Sequence, residues 1–168
     1  MYDWEHIRSQ HGPLVWNTIW RILRHESDVM DCYQEVFLEA FRTSQCGPIV
    51  NLPGLLKWLA VRRSLDVLRK RKPDVQTVPG YDLEELAQIN PTNTSGEIAE
   101  LLDAIRNELN SLSAGQAQAF WLCCVEEMTY REAADVMNIN AKHVGMLVHR
   151  ARRHLRKTLV DWDVAREA

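Results

Sequence analysis

Apolar residues recur at helical spacing along most of this chain. Ile7, Leu14, Trp16, Ile19, Trp20 and Leu23 predict one amphipathic helix over residues 3–25, with Arg8, Asn17, Arg21 and Arg24 on its other faces. Pro13, beside Gly12, predicts a kink or a break into two pieces there. The Trp16/Trp20 pair reads as core. Ser27 or Asp28 is placed to cap a second helix running to about Arg42, with Val29, Val36, Phe37 and Ala40 on its buried side. Residues 44–54 carry Gly47, Pro48, Pro53 and Gly54 and read as a loop. A third helix follows over 55–72, apolar through Leu55, Leu56, Leu59, Leu65 and Leu68 and stopped by Pro73.

Periodicity then lapses. Residues 73–96 hold Pro73, Pro79 and Pro91 and an acidic bias, which predicts a linker with at most a short helical turn at Asp82–Ile89. It resumes at Ile98, Leu101, Leu102, Ile105 and Leu109. Ser113 with Gln116 forms a capping box that opens the helix AGQAQAFWLCCV. The stretch Thr129–Lys157 then fits a helix-turn-helix with Tyr130 as its first position. Ala133, Met137, Ile139, Val144 and Leu147 take the inward apolar places, and Ala134 the close approach between helices. Asn138 takes the turn position that needs a left-handed backbone. Thr129 with Glu132 caps the first helix and Asn140 the second. The expected fold class is therefore all-α. Two small helical domains, residues 1–72 and 97–168, are joined by a flexible acidic linker, the second domain's helices ending near Val160.

Charge sharpens this picture. The net charge of −3 averages over strong segregation. Residues 62–72 hold Arg62, Arg63, Arg69, Lys70, Arg71 and Lys72 against Asp66 alone. Residues 142–157 hold six more Lys or Arg and no acid, whereas residues 73–105 carry seven acids and no Lys or Arg. Two polyanion-seeking islands therefore flank an acidic interval. The four cysteines have no CxxC spacing and the six histidines no metal-ligand spacing, so no zinc site or other cofactor is expected. Vicinal Cys123 and Cys124 read as packing. The longest apolar run, Ala119–Val125, is too short to span a bilayer, and no export signal is seen, so a cytoplasmic protein with reduced thiols is expected.

Two constellations carry chemistry. The helix-turn-helix with its one-sided basic extension points to DNA in a major groove. Asp31, Glu35 and Glu39 at i, i+4, i+8 share one helix face, which is either solvated or a docking surface for a basic partner. No arrangement of nucleophile, base and orienting group supports an enzyme.

The run HGPLVWNTIWRIL, then DVMDCYQEVFLEAF, then LAVRRSLDVLRKRK resembles region two of the extracytoplasmic-function sigma factors of bacterial RNA polymerase. Its most specific part is Asp31-x-x-Gln34-Glu35-Val36-Phe37. The segment from about Leu101 through Thr129–Ala134 to His149-Arg150-Ala151-Arg152 resembles region four. The resemblance implies that this is a factor that binds core RNA polymerase, recognises promoter DNA and directs transcription initiation. It implies that Asp31, Gln34 and Glu35 dock on the clamp coiled coil of the polymerase's largest subunit. Loop 44–54 and Arg62, Arg63, Arg69 and Lys70 would meet the minus-ten element, with a pocket for an extruded base and cations for the separated strands. Asp74, Asp82, Glu84 and Glu85 would mimic a polyanion in a basic channel of the core enzyme. Lys142, His143, Gly145, Met146, His149, Arg150 and Arg153 would face the minus-thirty-five element. Core polymerase and promoter DNA are the implied partners, an anti-sigma factor is a partner the resemblance admits, and no membrane insertion is expected.

The chain departs from the family pattern at Met30, where an acid is usual, at Leu55 for Trp, and at Arg62 for Asn. It departs again at Glu127 for Gly, and at Gly145-Met146-Leu147, where basic and hydroxyl residues are usual. A glycine in the second turn of the groove-facing helix costs helix stability, so something should offset it: close approach to DNA, or tolerance of a weak contact. The competing function is a stand-alone helix-turn-helix regulator whose first domain dimerises or senses.

Overall fold

The computed structural model describes residues 1–71 and 96–167, and among them the secondary structure is helical with no strand. Helix α1 spans Trp4–Leu23, α2 Glu26–Cys46 and α3 Leu52–Lys70. The second half holds α4 (Gly96–Leu109), α5 (Ala114–Phe120) with a π-helical turn over Trp121–Val125, α6 (Tyr130–Met137) and α7 (Ala141–Glu167). The expected linker lies, but for Gly96, outside the described residues, as does the turn expected at Asp82–Ile89.

Asp3 caps α1 by accepting from the His6 N–H at 3.1 Å, and Arg24 ends it in the left-handed region at φ 54°. The helix is not broken at Gly12–Pro13. A proline removes one intrahelical bond, whereas buried Ile7 on one side and Val15, Ile19 and Ile22 on the other pack into one core. That shared burial outweighs the local cost. For α2, neither expected cap forms. The helix starts earlier, at Glu26, after an extended His25 that makes no side-chain cap bond. Asp28 instead pairs with Arg71 from the end of α3. The helix also outruns Arg42 to Cys46, because the breakers begin only at Gly47.

Helix α3 starts three residues before the expected Leu55. Asn51 accepts from the Gly54 N–H at 3.0 Å, and Pro53 sits in the first turn, where a missing N–H costs nothing. A Cβ on Gly54 would lie 2.6 Å from the Asn51 amide, so this cap requires a glycine there. The first half is thus three helices around Val15, Ile19, Ile22, Val29, Val36, Ala40, Leu56, Leu59 and Val61, all buried. Val15, Ile22 and Cys32 join that core although the apolar pattern did not single them out.

In the second half, Ser113 accepts from the Gln116 N–H at 3.3 Å and starts α5, which is one of the two bonds of the expected capping box. The helix AGQAQAFWLCCV then changes character. Glu126 N–H bonds to the Trp121 carbonyl at 3.0 Å, five residues back, which widens the turn. The chain leaves it through Glu127, whose φ of 57° is left-handed. The helix-turn-helix follows with every expected local device. Thr129 and Glu132 form a reciprocal capping box, Asn138 has φ 54° and ψ 45°, and Asn140 accepts from the His143 N–H at 2.7 Å. Ala133, Ala134, Val144 and Leu147 are buried and Met137 and Ile139 partly so. Helix α7 does not end near Val160 but continues to Glu167.

The two halves are in contact. Helix α3 packs on α1 and α2 on one side and on α5, the π turn and α6 on the other. Several polar bonds cross the boundary. Glu126, with a side chain only 3% exposed, lies 2.9 Å from Arg21 and 3.9 Å from the Lys57 ammonium. The Lys57 ammonium also donates to the Glu126 carbonyl at 3.2 Å, and Thr18 Oγ1 to the carboxylate at 3.4 Å. The Trp58 indole donates to Gln118 at 3.2 Å, and Arg69 to the Leu112 carbonyl at 2.8 Å. Buried Arg106 pairs with Asp103, which also lies 4.0 Å from Arg24. Burial, with Arg24 nearby, draws the Arg106 guanidinium down to about 10.

Glu127 holds a backbone conformation that costs a non-glycine residue about 1 kcal/mol or more. Replacing it with glycine is expected to raise unfolding stability by about 1 kcal/mol, read as a higher urea midpoint at unchanged slope.

Candidate nucleic-acid interface

Helix α7 buries Val144, Leu147, Val148, Ala151 and Leu155 against its neighbours, which turns the intervening positions outward. Lys142, Met146, His149, Arg150 and Arg153 follow one another at i, i+4, i+7, i+8 and i+11 and form one exposed face, with exposed His143 beside it. The structure therefore brings six of the seven α7 residues named from the sequence into one surface with no acid among them. Gly145 is the seventh, and it packs against a side chain of this protein. A Cβ there would lie 3.4 Å from Tyr130 Cε2 and 3.6 Å from Cδ2, so the Tyr130 ring lies close over the glycine. Tyr130 is itself 42% exposed and Met146 44%, which adds an apolar edge to the basic face.

Two partly buried thiols lie behind this face. Arg152 donates to Cys124 Sγ at 3.2 Å, and burial together with Cys124 pushes the Cys123 thiol up to about 11, so it is inert at neutral pH.

The other basic island is arranged differently. Arg62 and Arg63 both reach Glu39 on α2, Arg63 Nε at 2.9 Å. Arg62 also lies over the Trp58 ring, 4.7 Å from its centroid. Arg69 donates to the Leu112 carbonyl while remaining exposed, and Lys70 is exposed beside it at the helix end. Of the four α3 cations named from the sequence, three therefore already hold protein groups. Glu39 leaves the carboxylate stripe in consequence: it serves as the counter-ion of α3. Burial alone would raise its pKa, but hydrogen bonds and charge from Arg63 and Arg62 outweigh this and hold it below the usual glutamate value. Asp31, Gln34 and Glu35 remain exposed on the outer side of α2, next to exposed Met30 and Leu38.

Sequence reasoning missed Trp58, Lys57 and Glu126. Trp58 and Arg62 stand at i, i+4 on α3, a spacing that announces a cation over a ring. Nothing in the sequence distinguishes Glu126 from Glu127. No group of three or more metal-ligating side chains occurs among the described residues, and none of their helices is long and apolar enough to cross a membrane.

Two family models match the chain. Sigma-70 region 2 matches residues 7–73 and sigma-70 region 4 residues 102–155, which together take in well over half of it. The first match is α1–α3 and the second the helix-turn-helix with its supporting helices. The ECF RNA polymerase sigma factor SigE of Mycolicibacterium smegmatis is 24% identical over 167 residues. The alignment takes in 95% of this chain but spans only 62% of that relative's length. Among solved structures, the sigma factor RpoE of Bartonella quintana, crystallised in complex with the anti-sigma factor NepR, superposes with a TM-score of 0.59 at 21% identity. It covers 95% of this chain and 98% of that one, a likeness of fold.

Two measurements follow from these side-chain environments. The Gly145→Ala variant places its Cβ in ordinary contact with Tyr130 and is expected to gain roughly 0.5–1 kcal/mol of stability from helix propensity. Thermal unfolding at fixed pH reads that gain. Because the folded-state pKa of Glu39 is lowered, its stabilising contribution is complete above the ordinary glutamate pKa. It is lost as pH falls through the lower folded value. Urea midpoints across that acid limb should fall less steeply for Glu39→Gln than for the wild type.

Proposed function

From membership of the sigma-70 family, to which the chain belongs through both region 2 and region 4, we propose that it is an RNA polymerase sigma factor of the extracytoplasmic-function group. It binds core polymerase, carries it to promoter DNA and directs initiation in the cytoplasm, leaving catalysis to the polymerase. The observation that carries this reading is the pairing of two distinct surfaces in one chain. One is the acidic outer side of α2 in region 2, and the other the acid-free basic face of α7 in region 4.

In this reading Asp31, Gln34 and Glu35 meet a basic surface of the core enzyme, with Met30 and Leu38 adding apolar area beside them. Exposed carboxylates in such a contact set orientation and on-rate, and like charges across it are costly. Lys142, His149, Arg150 and Arg153 engage phosphates around a major groove, while His143 and Met146 are positioned for base edges, Met146 for a thymine methyl. Arg62, Arg63, Arg69 and Lys70 with the Trp58 ring serve the separated strands of the minus-ten element. An aromatic ring and cations suit a strand whose bases are unstacked. The domain boundaries 1–72 and 97–168 divide these two tasks. An anti-sigma partner, as solved with the Bartonella protein, is compatible with this assignment. The stand-alone regulator is less favoured because it gives the exposed acids of α2 no task.

The assignment of α2 is open to a direct test. With Asp31 and Glu35 both reversed to Lys, co-purification with core polymerase is expected to fall at least tenfold while circular dichroism stays unchanged, given the cost of placing like charges across such a contact. Unchanged co-purification would remove the docking role from these residues.

A further inference from the structure

Residues 47–51 join α2 to α3 and hold an apolar side chain in water. Val50 is 101% exposed. Apart from Met1, no other large apolar side chain among the described residues is more than half exposed. Scattered exposed apolar residues are ordinary on a protein surface. What distinguishes Val50 is that the chain is fastened on both sides of it. On one side, the Ile49 N–H donates to the Tyr2 hydroxyl at 2.7 Å. Half-buried Tyr2 is held in turn: its ring lies 5.9 Å from the Trp4 ring, and Trp4 meets Phe41 of α2 edge-on at 5.7 Å. On the other side, Asn51 caps α3 through the Gly54 N–H, in a cap that has no room for a Cβ at position 54. Pro48, its φ fixed by the ring, stiffens the approach. A side chain with no packing partner is thereby carried on a backbone with little freedom left to lose.

Val50 lies two residues before α3, and the cations Arg62 and Arg63 follow about 15 Å further along that helix. An apolar side chain held firmly ahead of cations has the chemistry of a wedge. Proteins that distort duplex DNA insert apolar side chains between base steps, where the side chain replaces lost base stacking while cations hold the backbone. A loop ordered beforehand loses less conformational entropy on insertion, so more of the contact's free energy is kept. We propose that Val50 enters the promoter duplex where its strands begin to separate, and that Tyr2 is a positioning residue that holds the loop for it. The proposal rests on the sigma-factor reading for the presence of promoter DNA at region 2. Val50 touches the bases, whereas Tyr2 acts through the Ile49 backbone. The loop therefore governs opening of the duplex, and the α3 cations govern retention of the opened strands.

The experiment uses holoenzyme assembled from core polymerase and the full chain, as wild type, Val50→Ser or Tyr2→Phe. Val50→Ser puts a hydroxyl in place of the apolar tip at a fully exposed position. Tyr2→Phe keeps the ring against Trp4 and removes the acceptor of the Ile49 N–H. Neither change touches the buried core. The template is a promoter fragment that the wild-type holoenzyme transcribes, used as a full duplex and with its minus-ten segment already opened by mismatches. Permanganate reactivity of unpaired thymines reads the opening, and run-off transcription reads its product. Both variants are expected to lose about fivefold or more on the duplex and to come within about twofold of the wild type on the opened template. A merely structural role would lower both templates alike. Undiminished duplex opening by Val50→Ser overturns the wedge, as does a loss that persists on the opened template. Undiminished opening by Tyr2→Phe beside a defective Val50→Ser overturns the role of Tyr2. Failure of the sigma-factor reading would show earlier, as the absence of any fragment on which the wild-type holoenzyme starts transcripts.

Discussion

A carboxylate with almost no water around it governs how the two halves of this chain meet. Leaving Glu126 ionised and unpaired at that depth would cost several kcal/mol, so wherever it is buried it must bring cations with it. It finds them on α1 and α3, helices whose other faces build the first core. The same helix α3 thereby belongs to two packing surfaces at once, the bundle with α1 and α2 and the contact with α5, the π turn and α6. The π turn is where the second half delivers its acid. An extra residue in that turn accompanies a buried Glu126 and an exposed Glu127 in adjacent positions, with the backbone turned left-handed at the second.

Local signals were legible in the sequence wherever a short-range rule decides the structure. The capping box at Thr129, the left-handed Asn138, the Asn140 cap and the inward positions of the helix-turn-helix all depend on residues within one turn of each other. Where a longer-range contact competes, the local reading fails. Asp28 has the chemistry of a cap, yet Arg71 claims its carboxylate. Of the kink or break expected at Pro13, the break does not form, because the core on both sides carries the helix through. Glu39 belongs by spacing to an acidic stripe, yet the arginines of α3 take it as their counter-ion. Contact between the halves was not legible at all, because it rests on Glu126, Lys57, Trp58 and Gln118, none of which breaks the pattern of its own helix.

The two basic islands are therefore not equivalent. The α7 island has its apolar residues buried and, among the described residues, no acid on its exposed face, a surface suited to a polyanion. In the α3 island, charge is already balanced by Glu39, and its inner face is engaged by acceptors from the other half. Counting cations along the chain would rank the two alike. The partners each cation holds distinguish them: Arg62, Arg63 and Arg69 already hold protein groups.

The central claim is that both surfaces serve one event, promoter-directed initiation by core polymerase. The most direct measurement is transcription in vitro from a library of promoter fragments, with purified core polymerase alone and with this chain added. The account predicts transcripts that start at defined positions on a subset of fragments only when the chain is present. Sequence-specific binding to those fragments by the chain alone, with no defined starts when core polymerase is added, would contradict it.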